Sequence, residues 1–315
     1  MRVAFVGNSY TYFNDLPGTF TNLSAALHTP VVVEHQQVTP PGSSIFQHGN
    51  VSLQMGLDTL AMLQQSWDFV VLQDQSETPG GGRDTDSSLP PGVGKALSVA
   101  ALSSFFLPAL KSAGARAVLY STWGRHDGDP PNADYGYGTF LGMNRKTAEG
   151  YQYYRNVLAR GAGSGEPPLI VPCGRAYELT YNLSNASTSP SSLFSCLYHS
   201  NLPASTPRHC ILDGAGKGGH PSPLGTYLIA CTFAAAIHRQ SPIGARWAPA
   251  GVSAAERDLM QRIAHQAVFA ATSCQKRGGQ CVGVPTPCCA GLVCDPTPGV
   301  QQCLPRRRGR HLRAR

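Results

Sequence analysis

The sequence is short of charge. Only 14% of its 315 residues are charged, against about a quarter in typical globular domains, while 42% are hydrophobic. This composition excludes a chain that is disordered throughout. The formal net charge of +7 is not spread along the chain, because six arginines lie within residues 306–315 and leave +1 for everything upstream. A basic body that binds nucleic acid is therefore not indicated.

The sequence also lacks an internal repeat, a membrane-length apolar run and a signal-peptide pattern. Its longest apolar run, Leu224 to Ile237, is interrupted by Gly, Thr and Tyr, which predicts a buried helix and no membrane span. Residues Met1 to Val6 run straight into a strand pattern. A secreted location requires that a signal has been removed, lost from this sequence or replaced by another route.

What the chain does have is a cluster of cysteines. Six of its ten cysteines lie between Cys274 and Cys303, in Gly- and Pro-rich loops with almost no apolar residues. So small a segment needs crosslinks to fold, and disulfides require an oxidising compartment. Six cysteines allow fifteen pairings, which spacing alone does not resolve. A zinc site is the alternative, although it would favour Cys-x2-Cys pairs.

The adjacent pair Cys288-Cys289, with the loop lengths around it, resembles the inhibitor cystine-knot (knottin) family. The resemblance implies that the first cysteine pairs with the fourth, the second with the fifth and the third with the sixth. Of the other cysteines, Cys196 and Cys210 bracket a loop that a disulfide would tether, and we expect Cys173 and Cys231 to be buried thiols. We predict a domain at 1–272, a cystine-rich module at 273–304 and a disordered basic tail at 305–315.

Four Asn-x-Ser sequons agree with secretion. They begin at Asn22, Asn50, Asn182 and Asn185, and each is an acceptor pattern for N-glycosylation. Together with the cysteine cluster they predict a secreted or lumenal glycoprotein.

Five strand-like apolar runs alternate with segments of helical periodicity over the first 270 residues. The runs are Val3 to Val6, Val31 to Val38, Phe69 to Leu72, Ala115 to Tyr120 and Leu169 to Val171. The helical segments are Leu16 to Leu27, Leu53 to Gln65, Val93 to Ser112, Asn144 to Arg160, Leu224 to Ile237 and Ser253 to about Thr272. This alternation predicts one doubly wound α/β/α domain with a five-stranded parallel sheet.

Ligands of such sheets bind outside the carboxyl ends of the strands, so the residues after each strand are the candidates for chemistry. Gly7-Asn8-Ser9 follows the first strand. A serine here would lie close to a helix N-terminus, where backbone donors favour a developing negative charge. The alternative is an ordinary turn with a helix-capping serine.

A serine nucleophile needs a base, and the base needs an orienting partner. His220 lies in a Gly-rich loop before an apolar helix, and Asp213 precedes it. The residues therefore occur in the order Ser, Asp, His. Alone, a His before a Pro would more often be a surface loop residue.

These blocks, with a Gly after the second strand and a polar amide after the third, resemble the SGNH (GDSL-type) hydrolase superfamily over about residues 1–270. The resemblance implies a flavodoxin-like three-layer fold, a serine-esterase mechanism and no cofactor or metal. It implies that Ser9 is the nucleophile, His220 the base and Asp213 its partner.

The implied oxyanion hole comprises the backbone N–H groups of Ser9 and Gly42 and the side chain of Gln75. The family supplies Asn where Gln75 stands; a Gln amide can donate the same hydrogen bond, and Gln73 is a rival for the role. The family's Asp lies three residues before the His, a position that Lys217 occupies here. An inserted Gly-rich loop could restore the geometry, and otherwise a backbone carbonyl would orient His220.

Further residues are candidates for substrate binding. They are Asn8, Gln73, Trp123 and Arg125, for which packing or a salt link is the alternative. We expect His48, near Gly42, to be a solvated residue at a helix start, with a substrate contact as the alternative.

The sequence thus predicts an esterase that cleaves an O-acyl or O-acetyl ester of a carbohydrate or lipid. Specificity would reside in the long loops at 76–91 and 182–217. The alternative is a catalytically silent binding or adhesion protein that uses its cystine-rich module on a protein or polysaccharide. The expected partner is an acylated small molecule or polysaccharide and not a nucleic acid, although the Arg-rich tail could contact a polyanion.

Overall fold

Five parallel strands form the centre of the molecule. The computed structural model describes residues 1–83, 89–162, 166–189, 192–199 and 218–269, and the backbone of 292–295 and 302–305. The strands of the central sheet are β1 (Arg2–Val6), β2 (Glu34–Val38), β3 (Phe69–Leu72), β4 (Arg116–Ser121) and β5 (Leu169–Pro172). They lie in the order β2-β1-β3-β4-β5, and every neighbouring pair is parallel. The predicted five-stranded parallel sheet is confirmed.

Helices cover both faces of this sheet. They are α1 (Ser9–Tyr12), α2 (Leu16–Ala25), α3 (Ile45–His48), α4 (Gln54–Leu63), α5 (Val93–Ala101), α6 (Leu107–Ala113), α7 (Phe140–Ala162), α8 (Cys173–Leu183), α9 (Pro223–His238) and α10 (Ala254–Phe269). A π-helical turn, Leu102–Phe106, joins α5 to α6, and short 3-10 turns lie at Pro130–Tyr135 and Ser195–Leu197.

Alternate residues of each strand enter opposite cores, as the two-residue period of a strand requires. In β1, Val3 and Phe5 join a core with α2, α8, α9 and α10. Ala4 and Val6 join a second core with α4, α6 and α7. The predicted three-layer α/β/α arrangement is therefore confirmed.

One predicted strand boundary was wrong, and one helix was missed. The Val31 to Val38 run was expected to be one strand, but β2 begins at Glu34, and Val32 is 78% exposed in the connection before it. Helix α8 was not predicted at all. It begins at Cys173, directly after β5, and Pro172 at its N-cap provides no side-chain hydrogen bond, so the usual start signal is missing from the sequence.

One helix other than the predicted apolar run meets the length and composition of a membrane span. Within the described part of the chain, Val93–Ala113 is long and apolar enough to cross a membrane by length and composition alone. Leu102, Phe106 and Leu110 on this helix are buried in the second core. A single such helix is weak evidence, since a core helix passes the same test.

The chain divides into two compact units, Met1–Ala267 and Val268–Arg315. In the second unit, β6 (Leu292–Asp295) and β7 (Gln302–Pro305) form an antiparallel pair in which Cys294 is opposite Cys303. The side chains of all six clustered cysteines, and the Arg-rich tail, lie outside the described residues. Knottin-like pairing, the zinc alternative and the tail's role therefore stay predictions.

The remaining cysteines divide as expected where the structure describes them. Cys173 and Cys231 are buried free thiols, which confirms that prediction. Cys196 is disulfide-bonded, and Cys210, its predicted partner, lies outside the described residues.

Candidate active site

The turn after β1 presents a serine at the carboxyl edge of the sheet. Helix α1 begins at Ser9, and Asn8 caps it, because its side-chain oxygen accepts a hydrogen bond of 3.0 Å from the Tyr10 N–H. Ser9 is 9% exposed. The switch point of the strand order lies between β1 and β3, where ligands of doubly wound sheets bind.

This turn requires a glycine before the capping residue. A Cβ atom on Gly7 would lie 2.5 Å from Thr11 Oγ1 and 2.6 Å from Gln73 Oε1. That same Gln73 oxygen accepts hydrogen bonds from the Asn8 N–H at 2.8 Å and the Thr11 hydroxyl at 2.9 Å. The end of β3 thereby fixes the turn that carries Ser9.

His220, which lies 211 residues later in the chain, contacts this serine. Its Nε2 lies 2.8 Å from Ser9 Oγ. In the tautomer that carries its proton on Nδ1, the Ser9 hydroxyl donates to Nε2, as a nucleophile–base pair requires. The predicted nucleophile and base are therefore brought together, whereas Asp213 and Lys217 lie outside the described residues.

Backbone groups around His220 are held by several donors. The Trp123 indole N–H donates to the Gly219 carbonyl at 3.1 Å, and the His199 N–H donates to the His220 carbonyl at 2.8 Å. The Asn14 amide donates to the Pro221 carbonyl at 2.9 Å. These three hydrogen bonds go to backbone carbonyls and position the loop, and none of the three goes to the imidazole ring.

The structure corrects the role expected for Trp123. Its side chain is 0% exposed, and both ring faces are covered, by Tyr10 at 5.0 Å between ring centroids and by Tyr177 at 4.3 Å. An indole enclosed in this way cannot contact a substrate. It instead supports the His220 loop through its N–H.

The Arg125 side chain likewise lies in the interior. It is 8% exposed, forms an ion pair with Glu77 and lies 3.3 Å from an Asp129 carboxylate oxygen. Burial opposes its charge, but the adjacent carboxylates outweigh burial and raise the pKa of Arg125. The buried cation therefore pairs with two buried carboxylates, and a substrate contact through it is not supported.

The turn after β2 packs against the nucleophile turn. Gly42 adopts a left-handed conformation with φ of 66°, which favours glycine. The next residue, Ser43, donates from its hydroxyl to the Gly7 carbonyl at 2.8 Å, and its own carbonyl accepts from the Asn8 side chain at 2.8 Å. Within the described ranges, the N–H groups of Ser9 and Gly42 donate to no acceptor.

The two glutamines after β3 are held differently. Gln73 is fully buried, donates to the Asp74 carbonyl and accepts from the nucleophile turn. Gln75 donates one amide N–H to the Glu77 carboxylate, and its oxygen accepts from the Glu77 N–H at 2.8 Å. The second N–H of the Gln75 amide has no acceptor among residues that the structure describes.

Asn8 and His48 are structural in this arrangement. The Asn8 side chain is used in capping α1 and bonding Ser43, so the expected substrate contact is not supported. His48 is fully buried. The expectation that it is solvated was therefore wrong. Its Nε2 lies 2.9 Å from the Gly7 carbonyl oxygen and its Nδ1 lies 2.9 Å from Thr59 Oγ1. Burial lowers the pKa of His48 to about 4, so the ring is neutral at pH 7.

No protein-family model matches the sequence, and no curated protein matches it. Solved structures do match. A proposed SGNH hydrolase from Slackia heliotrinireducens is 22% identical with a TM-score of 0.50, covering 75% of this chain and 98% of that chain. A DUF4886 family protein from Bacteroides uniformis is 14% identical with a TM-score of 0.58, covering 85% of this chain and 95% of that chain.

The chain has the SGNH-hydrolase fold. At these identities the likeness shows the fold alone, and the chemistry depends on the residues of the site.

Two residues of the candidate site were not anticipated from the sequence. Asp74 is buried and accepts from the Ile45 and Gln75 N–H groups at 2.9 Å, and burial raises its pKa to about 6. It thereby ties the end of β3 to the start of α3. Phe13 stacks on His220. Asp74 lies two residues after the predicted third strand, and Phe13 lies four residues after Ser9. No other sequence signal marked either residue.

Another serine–histidine contact lies outside this site. Ser195 Oγ is 2.9 Å from His126 Nε2, but Ser195 is fully buried and also donates to the Ser189 carbonyl at 2.8 Å. This pair fastens a loop in the interior. No group of three or more His, Cys, Asp or Glu side chains in the described part of the chain could hold a metal ion.

Proposed function

We propose that this protein is a serine ester hydrolase that forms an acyl-enzyme on Ser9. The observation that carries the proposal is the 2.8 Å contact between Ser9 Oγ and His220 Nε2 at the carboxyl edge of the parallel sheet. A general base acts within a hydrogen-bond reach of about 2.6–3.2 Å, so this distance favours the esterase over the binding-protein alternative.

In the first half-reaction the Ser9 oxygen attacks the ester carbonyl carbon. As the O–C bond forms, the Ser9 proton moves to His220 Nε2 and the carbonyl oxygen becomes an oxyanion. The tetrahedral intermediate then collapses, the alkoxide leaves, and His220 gives it the proton. The products of this half are an alcohol and an acyl group on Ser9.

The second half-reaction releases the acyl group. A water molecule attacks the acyl-enzyme, with His220 as its base, and the proton returns to Ser9 when the acid leaves. We propose Asp213 as the group that orients His220, in keeping with the order Ser, Asp, His.

Three donors are proposed for the oxyanion. Two are the backbone N–H groups of Ser9 and Gly42, which donate to no acceptor within the described residues. The third is the second N–H of the Gln75 amide, whose first N–H is fixed by Glu77. Gln73 is the weaker candidate, because its amide oxygen faces the nucleophile turn and its amide nitrogen faces the Asp74 carbonyl.

We propose an O-acyl or O-acetyl ester of a carbohydrate or lipid as the substrate class. We also propose that the protein acts outside the cytosol. All four sequon asparagines, Asn22, Asn50, Asn182 and Asn185, are exposed, so the fold leaves each accessible.

The proposal is tested by hydrolysis of p-nitrophenyl acetate and of a panel of acetylated sugars and longer acyl esters. Ser9→Ala and His220→Ala should each lower kcat by about a thousandfold or more. Ser24→Ala is the matched control, since it removes a buried serine of α2 that also lies 2.9 Å from a histidine, His238, but belongs to neither the site nor the specificity loops. It should keep wild-type kcat. Turnover unchanged in Ser9→Ala would remove the mechanism.

A further inference from the structure

The segment that carries the nucleophile also contacts the base at several points. Within residues 9–14, Ser9 bonds the His220 imidazole, and the Tyr10 ring meets it edge-on at 5.6 Å between centroids. The Phe13 ring stacks on it at 4.3 Å with an interplanar angle of 10°. Asn14 donates to the next carbonyl, that of Pro221.

The Phe13 contact is the closest of the ring contacts and covers one face of the imidazole. A stacked ring at this distance fixes the plane of the imidazole, because rotation about its Cβ–Cγ bond would drive its edge into Phe13. That plane is the one in which Nε2 meets Ser9 Oγ at 2.8 Å. Phe13 is itself held, since its backbone N–H donates to the Ser9 carbonyl at 3.0 Å.

The charge on His220 changes during the proposed reaction, and this gives the stack a second effect. When Ser9 adds to the ester, the proton that it loses makes His220 an imidazolium. A cation over the face of an aromatic ring is attracted by the ring's negative face. The attraction is greater for the imidazolium than for the neutral ring, so Phe13 stabilises the transition state more than the resting enzyme.

We propose that Phe13 is a positioning residue for the base of this hydrolase, orienting the His220 imidazole toward Ser9 and favouring its protonated form during acylation. The inference rests on the proposed function. The Phe13 ring acts on the face of the imidazole, independently of the group that bonds Nδ1.

The test uses a fluorophosphonate probe, which needs no knowledge of the natural ester. The probe forms an Oγ–P bond with serine as its P–F bond breaks, fluoride leaves, and the serine proton passes to the base. Intact-protein mass spectrometry gives the maximal labelling rate, kinact, and the half-saturating concentration, KI. The full chain is used, with Ser9→Ala to establish which serine reacts.

Phe13→Leu should lower kinact by about three- to thirtyfold, the range expected from one cation–ring contact, with little change in KI. Phe13→Tyr and Phe13→Trp keep a ring and should restore most of kinact. Phe105→Leu is the matched control. It removes the same ring from a partly buried site packed in the other core, and it should lower the melting temperature without lowering kinact.

The outcomes separate the two proposals. Wild-type protein that is not labelled at Ser9 overturns both. Labelling at Ser9 with kinact unchanged in Phe13→Leu overturns the role of Phe13 and leaves the esterase standing. A loss in Phe13→Leu that neither Tyr nor Trp restores, or one that falls entirely on KI, also overturns it.

Discussion

Protonation of His48 should destabilise this fold in mild acid. The ring is fully buried behind the nucleophile turn, with Nε2 at 2.9 Å from the Gly7 carbonyl oxygen and Nδ1 at 2.9 Å from Thr59 Oγ1. Burial lowers its pKa to about 4, whereas a histidine of an unfolded chain titrates near 6.5.

The sign follows from linkage between protonation and folding. Because the folded-state pKa is the lower one, the unfolded chain binds the proton first as the pH falls. The stability that neutral His48 provides is therefore complete above pH 6.5 and is lost between about pH 6.5 and 4. With these two pKa values the loss is about 2 kcal/mol at pH 5 and about 3 kcal/mol at pH 4.

The comparison is between the wild type and His48→Gln. A Gln amide can place an N–H toward the Gly7 carbonyl but does not titrate. Urea unfolding, followed by tryptophan fluorescence, gives the free energy of unfolding at pH 7, 6 and 5. The wild type should lose about 2 kcal/mol more than the variant between pH 7 and 5. His238 and Asp74, whose pKa values burial shifts to about 4 and about 6, are present in both proteins and cancel. Parallel pH dependences would refute the reasoning.

Three other predictions concern single residues. Glu77→Ala should cost about 1–3 kcal/mol of unfolding free energy, measured by denaturant titration, because it removes a buried acceptor from Arg125 and Gln75 while Asp129 still pairs with the Arg125 charge; Glu166→Ala, whose ion-paired side chain is 72% exposed, should cost less than about 1 kcal/mol. Gly7→Ala should lower kcat on p-nitrophenyl acetate, because its Cβ would lie 2.5 Å from Thr11 Oγ1 and displace the Ser9 turn; wild-type kcat would contradict this. Protein secreted from a eukaryotic host should lose mass on treatment with a glycan-removing amidase, and Asn50→Gln should lose one such increment, since Asn50 is exposed in a turn.

The fold was predictable where the sequence signal is local. Strand β3 was predicted at Phe69 to Leu72, which is where it lies, because all four residues are apolar and polar residues follow them. Strand β2 was mislocated because it is an edge strand, whose polar residues Glu34 to Gln37 carry no burial signal, while the apolar residues before it form a connection. Hydrophobicity located the apolar strands, including β5 at the other edge of the sheet, and failed at the polar strand β2.

The site was predictable in a more limited way. Order along the chain was enough to select Ser9 and His220, which the structure brings within 2.8 Å. The order of residues along the chain does not specify whether the side chain of a loop residue points into the cleft or into the core. Trp123 follows β4 just as Ser9 follows β1, yet its ring turns inward between two tyrosines. The Phe13 stack depends on the meeting of residues about 200 positions apart, for which no local pattern exists.

The segment that carries the nucleophile also contacts the base, so the two are mechanically linked. Ser9, Phe13 and Asn14 lie within six consecutive residues, and all three contact His220 or the residue after it. A displacement of this segment therefore carries the nucleophile and the imidazole together, which limits the change in their separation. The His199 N–H, from the loop at 182–217, adds a hydrogen bond of 2.8 Å to the His220 carbonyl, so this loop and the nucleophile's segment together set the Ser9–His220 distance.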